Sequence, residues 1–142
     1  QKNNVSVVRR LFVERTENGK KQWMEVRPGD VLHVGEKVKT RLNVTSDRDI
    51  DFLEMKSERA ACMEPESVLS GYRWQNGQGY YQSVKDASTI YFFDTFRKGT
   101  CTIEDYSFVN RTGRYQMGLT SVRCAYSAEF GGHSEGCKVT VE

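Results

Sequence analysis

The chain predicts an all-β domain, an antiparallel β-sandwich, on the strength of its composition, its turn spacing and its alternating runs. Val occurs 15 times against 6 Leu and 3 Ile, with 7 Tyr and 7 Phe beside them. β-branched and aromatic side chains suit a pleated, half-buried surface, while the best helix formers are scarce here. Turn signals recur about every 8 to 12 residues between roughly eight or nine short runs, as in a sandwich, with a barrel as the alternative. The length of 142 residues suits a single domain over 1–142.

Val5 to Glu14 mixes β-branched with charged residues and runs into Glu17-Asn18-Gly19-Lys20, whose Asn-Gly step is a strong hairpin signal. The returning arm is Gln22 to Val26. Arg27-Pro28-Gly29-Asp30 is a turn by composition, Val31 to Val34 a short edge-like strand, and Gly35-Glu36 restarts the chain. From Val38 the pattern alternates: Val38, Thr40, Leu42 and Val44 face inward, Lys37, Lys39, Arg41 and Asn43 outward. Ile50 to Met55 is a further strand. Arg59 to Ser88 reads as one long loop with Pro65, Gly71, Asn76-Gly77 and Gly79, and with four large aromatics, Tyr72, Trp74, Tyr80 and Tyr81. Loops of this length are usually functional or disordered, and the aromatics argue against disorder. A short helix fits only in that loop, around Arg59 to Met63 or Tyr81 to Asp86. Strands resume at Thr89 to Phe96, Thr100 to Val109, Thr120 to Tyr126 and Gly136 to Glu142, with Arg97-Lys98-Gly99 as a turn and Asn110 to Met117 as a Gly-containing loop.

Charge and motif content exclude several classes. With 21 Lys+Arg against 19 Asp+Glu the net charge is +2, so no broad basic field is available and no nucleic-acid partner is expected. No apolar run approaches the roughly 20 residues of a membrane-spanning helix, and no membrane contact by this domain itself is expected. Gln1 opens the chain without Met or a signal-peptide core, which suggests a processed product or a fragment of a longer protein. Cys62, Cys101, Cys124 and Cys137 form no C-x-x-C pair; free core thiols and at least one bridge both remain open. Only His33 and His133 could serve as imidazole bases, and no nucleophile motif accompanies them, so no enzyme, cofactor or metal is expected. Asp47-Arg48-Asp49-Ile50-Asp51 is acidic enough to suggest calcium, but Arg48 and the missing distal Glu favour a solvated turn. The aromatic cluster has two readings, a lid over one end of the sandwich or a docking surface for protein or oligosaccharide.

At that cluster a resemblance emerges. Leu69 to Gln75, Gly79 to Thr89 and Phe92-Phe93-Asp94 resemble the C-terminal macroglobulin-like, receptor-binding-like domain of bacterial alpha-2-macroglobulins. Gly35 to Val38, Asp47 to Phe52, Glu58 to Ala61, Lys98 to Thr100, Ala125 to Phe130 and His133 to Gly136 agree in order, so the likeness covers 35–142, with 1–34 supplying the first strands. The resemblance implies a macroglobulin-like, fibronectin-III-like sandwich. It further implies a non-catalytic domain of a broad-spectrum protease inhibitor, periplasmic or cell-surface, whose parent is often a lipoprotein. In that family a Cys-x-x-Gln thioester captures the attacking protease. Cys62-Met63-Glu64-Pro65 carries Pro65 where the Gln would stand, so the thioester is not in this chain and Cys62 is structural. The implied partners are the other domains of the same parent, above all the thioester domain, which this domain shields from water, and target proteases through the parent. Shield candidates are Gly113, Tyr115 and Met117 in one loop and Tyr72, Trp74, Tyr80 and Tyr81 in the other. Gln116-Met117-Gly118 departs from the shorter loop of relatives. The alternative reading is a cell-surface β-sandwich that binds a glycan or protein.

Overall fold

The computed structural model of the chain describes residues 5–75, 77–124, 133–134 and 138–142, and among them fourteen strands and no helix. β1 (Val5–Glu17) turns through Asn18 and Gly19, both at positive φ, into β2 (Lys20–Glu25), as the Asn-Gly step predicts. β3 (Val31–Leu32) is brief. β4 (Lys37–Ser46) pairs with β1 on one side and β10 (Gly99–Val109) on the other, and β6 (Met63–Pro65) closes that edge, making a five-stranded sheet in the order β2-β1-β4-β10-β6. The opposing sheet runs β13 (His133–Ser134), β12 (Thr120–Cys124), β5 (Ile50–Glu58), β9 (Ser88–Phe96), β8 (Gln78–Val84), β7 (Gly71–Gln75). A third, three-stranded sheet joins β11 (Gly113–Gln116), β14 (Lys138–Val141) and β3, the β14–β3 pair being parallel.

The expected long loop is the main correction. Arg59 to Ser88 holds β6 and the β7–β8 hairpin, and neither proposed helix forms: Ala60 to Met63 makes a tight turn, with Met63 N–H donating to the Ala60 carbonyl at 3.0 Å. Tyr81 to Val84 is strand because its register with Phe92 to Thr89 places alternate side chains on opposite faces of the sheet. Gly77, at φ 76°, turns that hairpin. The Asn110 to Met117 loop likewise contains β11. Tyr126 and the residues around it in the expected strand ends lie outside the described residues, as does Cys137.

Two apolar cores lie between the layers. The first unites Val5, Val7, Leu42, Val44 and Ile103 of the five-stranded sheet with Leu53, Met55, Tyr91, Phe93 and Phe96 of its partner. The second gathers Leu11, Val13, Val38 and Val109 with Leu32, Val139 and Val141 of the small sheet, and with Cys62 and Met117. Between them the inward positions turn polar on each strand in step: Arg9 on β1, Thr40 on β4, Asp105 and Ser107 on β10, Ser57 on β5. Arg59 reaches into this belt, donating to Thr89 Oγ1 at 2.7 Å and the Ser88 carbonyl at 2.9 Å, 4.0 Å from Asp105. Burial pushes the Asp105 carboxyl above its ordinary value, and Arg59 only partly opposes it. Arg9 donates to the carbonyls of Gly118 and Glu58, fastening the segment before β12 to the end of β5.

Candidate functional site

The predicted shield residues fall on two surfaces and in the interior. Met117 is fully buried in the second core, and Tyr80 is 4% exposed in the first, its phenol pushed up to about 12 by burial above all. Their side chains are spent on packing this domain. Gly113 and Tyr115 stay at the surface of β11. Gly113 sits at φ 131°, a conformation that a side chain rarely adopts, and a Cβ there would press within 3.2 Å of the Tyr115 ring. The Tyr115 hydroxyl donates to the Thr112 carbonyl at 2.7 Å, and the ring packs on the second core. The ring is thus pinned by its hydroxyl, by a glycine beneath it and by apolar contact. Arg114, Gln116, Lys138 and Val139 border a shallow depression beside it of about 370 Å³.

Tyr72, Trp74 and Tyr81 meet on the outer face of the six-stranded sheet. Tyr72 pairs with Tyr81 and Tyr81 with Phe92, so one register line carries three rings across β7, β8 and β9 and continues to Glu54 and Arg123, which pair at 3.3 Å. Tyr72 and Tyr81 meet edge to face with centroids 5.0 Å apart. Trp74 lies over Gly79, where a Cβ would come within 3.1 Å of the indole. The result is a groove of about 770 Å³ bordered by these rings, Phe92 and Asp94, with Tyr72 80% and Trp74 71% exposed. Sequence reasoning found Tyr72, Trp74 and Tyr81 but missed Phe92 and Asp94, which join the groove only through the β8–β9 register. Their signal was the exposed alternation within Thr89 to Phe96.

Among the described residues, the remaining candidates assemble no reactive centre. Cys62 and Cys101 are free and buried, and burial raises both thiols, Cys101 to about 11, against the lowered pKa that a nucleophilic thiol needs. The side chain of Cys124, with Cys137, lies outside the described residues, as does the side chain of His133. His33 sits in a turn whose backbone N–H donates to Glu36. In the acidic run, Asp49 accepts from the Lys98 N–H at 2.8 Å and Asp51 from Thr95 Oγ1 at 3.0 Å, so both carboxylates brace the neighbouring turn and strand.

Comparison with known proteins bears on this arrangement. Residues 5–129 match the family described as the bacterial alpha-2-macroglobulin MG10 domain. No curated protein sequence matches the chain. Among solved structures, a Salmonella alpha-2-macroglobulin mutant superposes with TM-score 0.73 at 14% identity, covering 97% of this chain and 9% of its own. Trypsin-activated alpha-2-macroglobulin from Escherichia coli gives TM-score 0.73 at 13% identity, over 100% of this chain and 10% of that one. A non-cellulosomal cohesin from the archaeon Archaeoglobus fulgidus gives 0.53 at 9% identity, over 81% of this chain and 88% of that one. Identities this low speak for the fold alone, and the chain spans about a tenth of the macroglobulins that it superposes on. With the family match running from β1 through β12 on a sandwich of the same fold, the chain belongs to the MG10 domains of the bacterial alpha-2-macroglobulins, a protease-inhibitor family.

Proposed function

We propose that the chain works as a non-catalytic C-terminal domain of a larger, broad-spectrum protease inhibitor in the periplasm or at the cell surface, packing against the thioester-bearing domain of that parent and keeping water from the bond. Solved relatives include a Salmonella alpha-2-macroglobulin reacted with methylamine and an Escherichia coli one activated by porcine elastase, which fits a parent whose acyl group is held back until cleavage. The observation that carries the reading is the Tyr115 ring, pinned over Gly113 at the edge of the small sheet. An acyl thiol survives only where water is excluded, and a pre-positioned ring excludes water without first having to be ordered.

The test is the rate at which a free thiol appears in the full-length parent without protease. Tyr115→Gly should raise that rate about tenfold, equivalent to about 1.4 kcal/mol off the barrier, while Tyr115→Phe, which keeps the ring, should stay close to wild type. Unchanged rates in Tyr115→Gly with a faster Tyr72→Gly would move the contact to the aromatic groove. Unchanged rates in both would remove the shielding role.

A further inference from the structure

The outer faces of the two large sheets carry similar aromatic side chains in opposite electrostatic states. On the five-stranded sheet the rings are already occupied by cations: Lys39 Nζ stands 4.6 Å from the Trp23 centroid and 5.5 Å from that of Phe12, with Glu104 3.8 Å away. Lys37 covers Tyr106 at 4.9 Å in the same manner and pairs with Glu66. Ring, ammonium and carboxylate form a repeated set of three, and it leaves Lys39 only 7% exposed. On the six-stranded sheet the rings and the carboxylate recur without the cation. Among the described residues no Lys or Arg stands over Tyr72, Trp74, Tyr81 or Phe92, and Asp94, exposed beside them, makes no ion pair. Arg73 borders the groove but turns back along its own strand, donating to the Tyr72 carbonyl at 3.1 Å.

From this contrast we infer that the Tyr72–Trp74–Tyr81–Phe92 groove binds an extended basic peptide segment, whose lysine or arginine side chains lie over the rings and pair with Asp94. Charge complementarity selects the cation, because the ring faces and the carboxylate are all negative and the groove supplies no counter-charge over them. Backbone geometry selects an extended chain. Tyr72 and Trp74 are two residues apart on the outer face of β7, with Tyr81, Phe92 and Asp94 beside them in the same groove, and an extended segment laid over that face along the strand direction presents every second side chain to it. A basic residue at alternate positions therefore meets Tyr72 and Trp74 in turn. The site is separate from the Tyr115 surface, which belongs to the three-stranded sheet, and does not depend on the shielding role.

The test titrates the 142-residue chain with a capped Ser-Lys-Ser-Lys-Ser-Lys peptide, its norleucine counterpart and chitotriose, reading the indole N–H resonances by NMR. The lysine peptide should shift the Trp74 indole saturably and more weakly as salt rises, leaving Trp23, which already faces Lys39, unmoved. Trp74→Ala, followed through the Tyr81 amide, should weaken binding roughly 2- to 30-fold. Asp94→Asn, an exposed change that leaves the rings in place, should weaken it several-fold and reduce the salt dependence. Equal binding of the norleucine peptide, affinity unaltered in both variants, or no shift at millimolar peptide would each overturn the inference. A Trp74 shift with chitotriose and none with the lysine peptide would overturn it in favour of a glycan.

Discussion

Gly118 shows how one atom can set the route of a segment. A Cβ there would run into the Glu58 carbonyl and come within 2.6 Å of the Glu58 Cβ, while Arg9 holds both residues' carbonyls and Glu58 N–H donates to Leu119 at 2.9 Å. Backbone cannot yield as a flexible side chain can, so Gly118→Ala should cost about 1–3 kcal/mol, seen as a lower urea midpoint with an unchanged slope. The run Gln116-Met117-Gly118 has a local role: Met117 fills the second core and Gly118 lets the chain press against β5. Neither role is legible from three residues of sequence. Inwardness for Met117 and Tyr80 depends on strand parity, and parity depends on a register that neighbouring strands impose.

Among the elements, the β1–β2 hairpin was legible because its turn chemistry is local: Asn18 and Gly19 accept positive φ at little cost. The β7–β8 hairpin carried the same Asn-Gly signal at Asn76-Gly77, but its flanks, Gly71 to Gln75 and Gln78 to Val84, lack apolar alternation, since an edge hairpin exposes most of β7. The end of β1 is secured by a clamp that crosses elements. Arg15 Nε and Nη2 donate to the two Glu36 carboxylate oxygens at 2.9 and 3.1 Å, and Nη2 also to the Val31 carbonyl at 2.7 Å. Burial alone would raise the Glu36 carboxyl, but the Arg15 fork and the His33 N–H outweigh it and hold the carboxyl below its ordinary 4.5. A depressed carboxylate contributes its stability above the unfolded value and loses it as pH falls through the folded one. Glu36→Gln should therefore cost about 1 kcal/mol at pH 7, limited by the partial exposure of Arg15, and the gap to wild type should close as urea midpoints are followed below pH 4.5.

For the whole molecule, the polar belt between the two cores ties stability to pH. Arg59, on the six-stranded side, stands 4.0 Å from Asp105, on the five-stranded side, Arg9 also favours the charged carboxylate, and Tyr91 is buried with them, its hydroxyl raised well above its ordinary value by burial first and Asp105 next. Because Asp105 is raised in the folded state, its favourable contribution is present below the ordinary 3.8 and is lost as pH rises through the folded value. Arg59 restrains that loss at neutral pH. Arg59→Ala should remove the carboxylate's ion pair, leaving Arg9 to favour its charge, and remove the bonds to Ser88 and Thr89, costing up to about 3–5 kcal/mol at pH 7 and less near pH 4, where Asp105 takes up a proton. Urea unfolding at the two pH values checks this; an equal loss at both would mean that the Ser88 and Thr89 bonds alone carry the effect.

What the sequence by itself determined is whatever depends on near neighbours: the all-β class from side-chain shape, the Asn18-Gly19 turn, the inward set on β4 from strict alternation, and the family from the order of short motifs. What only the tertiary structure decided depends on pairing between distant strands. The β8–β9 register assembled the aromatic groove and added Phe92 and Asp94, the step of Arg9, Thr40 and Asp105 across three strands divided the core, and the packing of the small sheet fixed Tyr115 at the surface and Met117 beneath it. Such pairings are long-range, and a one-residue slip would reverse every inward and outward assignment without altering a single local signal. The strand-rich composition therefore sets the class of the fold, while the register decides which of its aromatics are core and which are free to meet a partner.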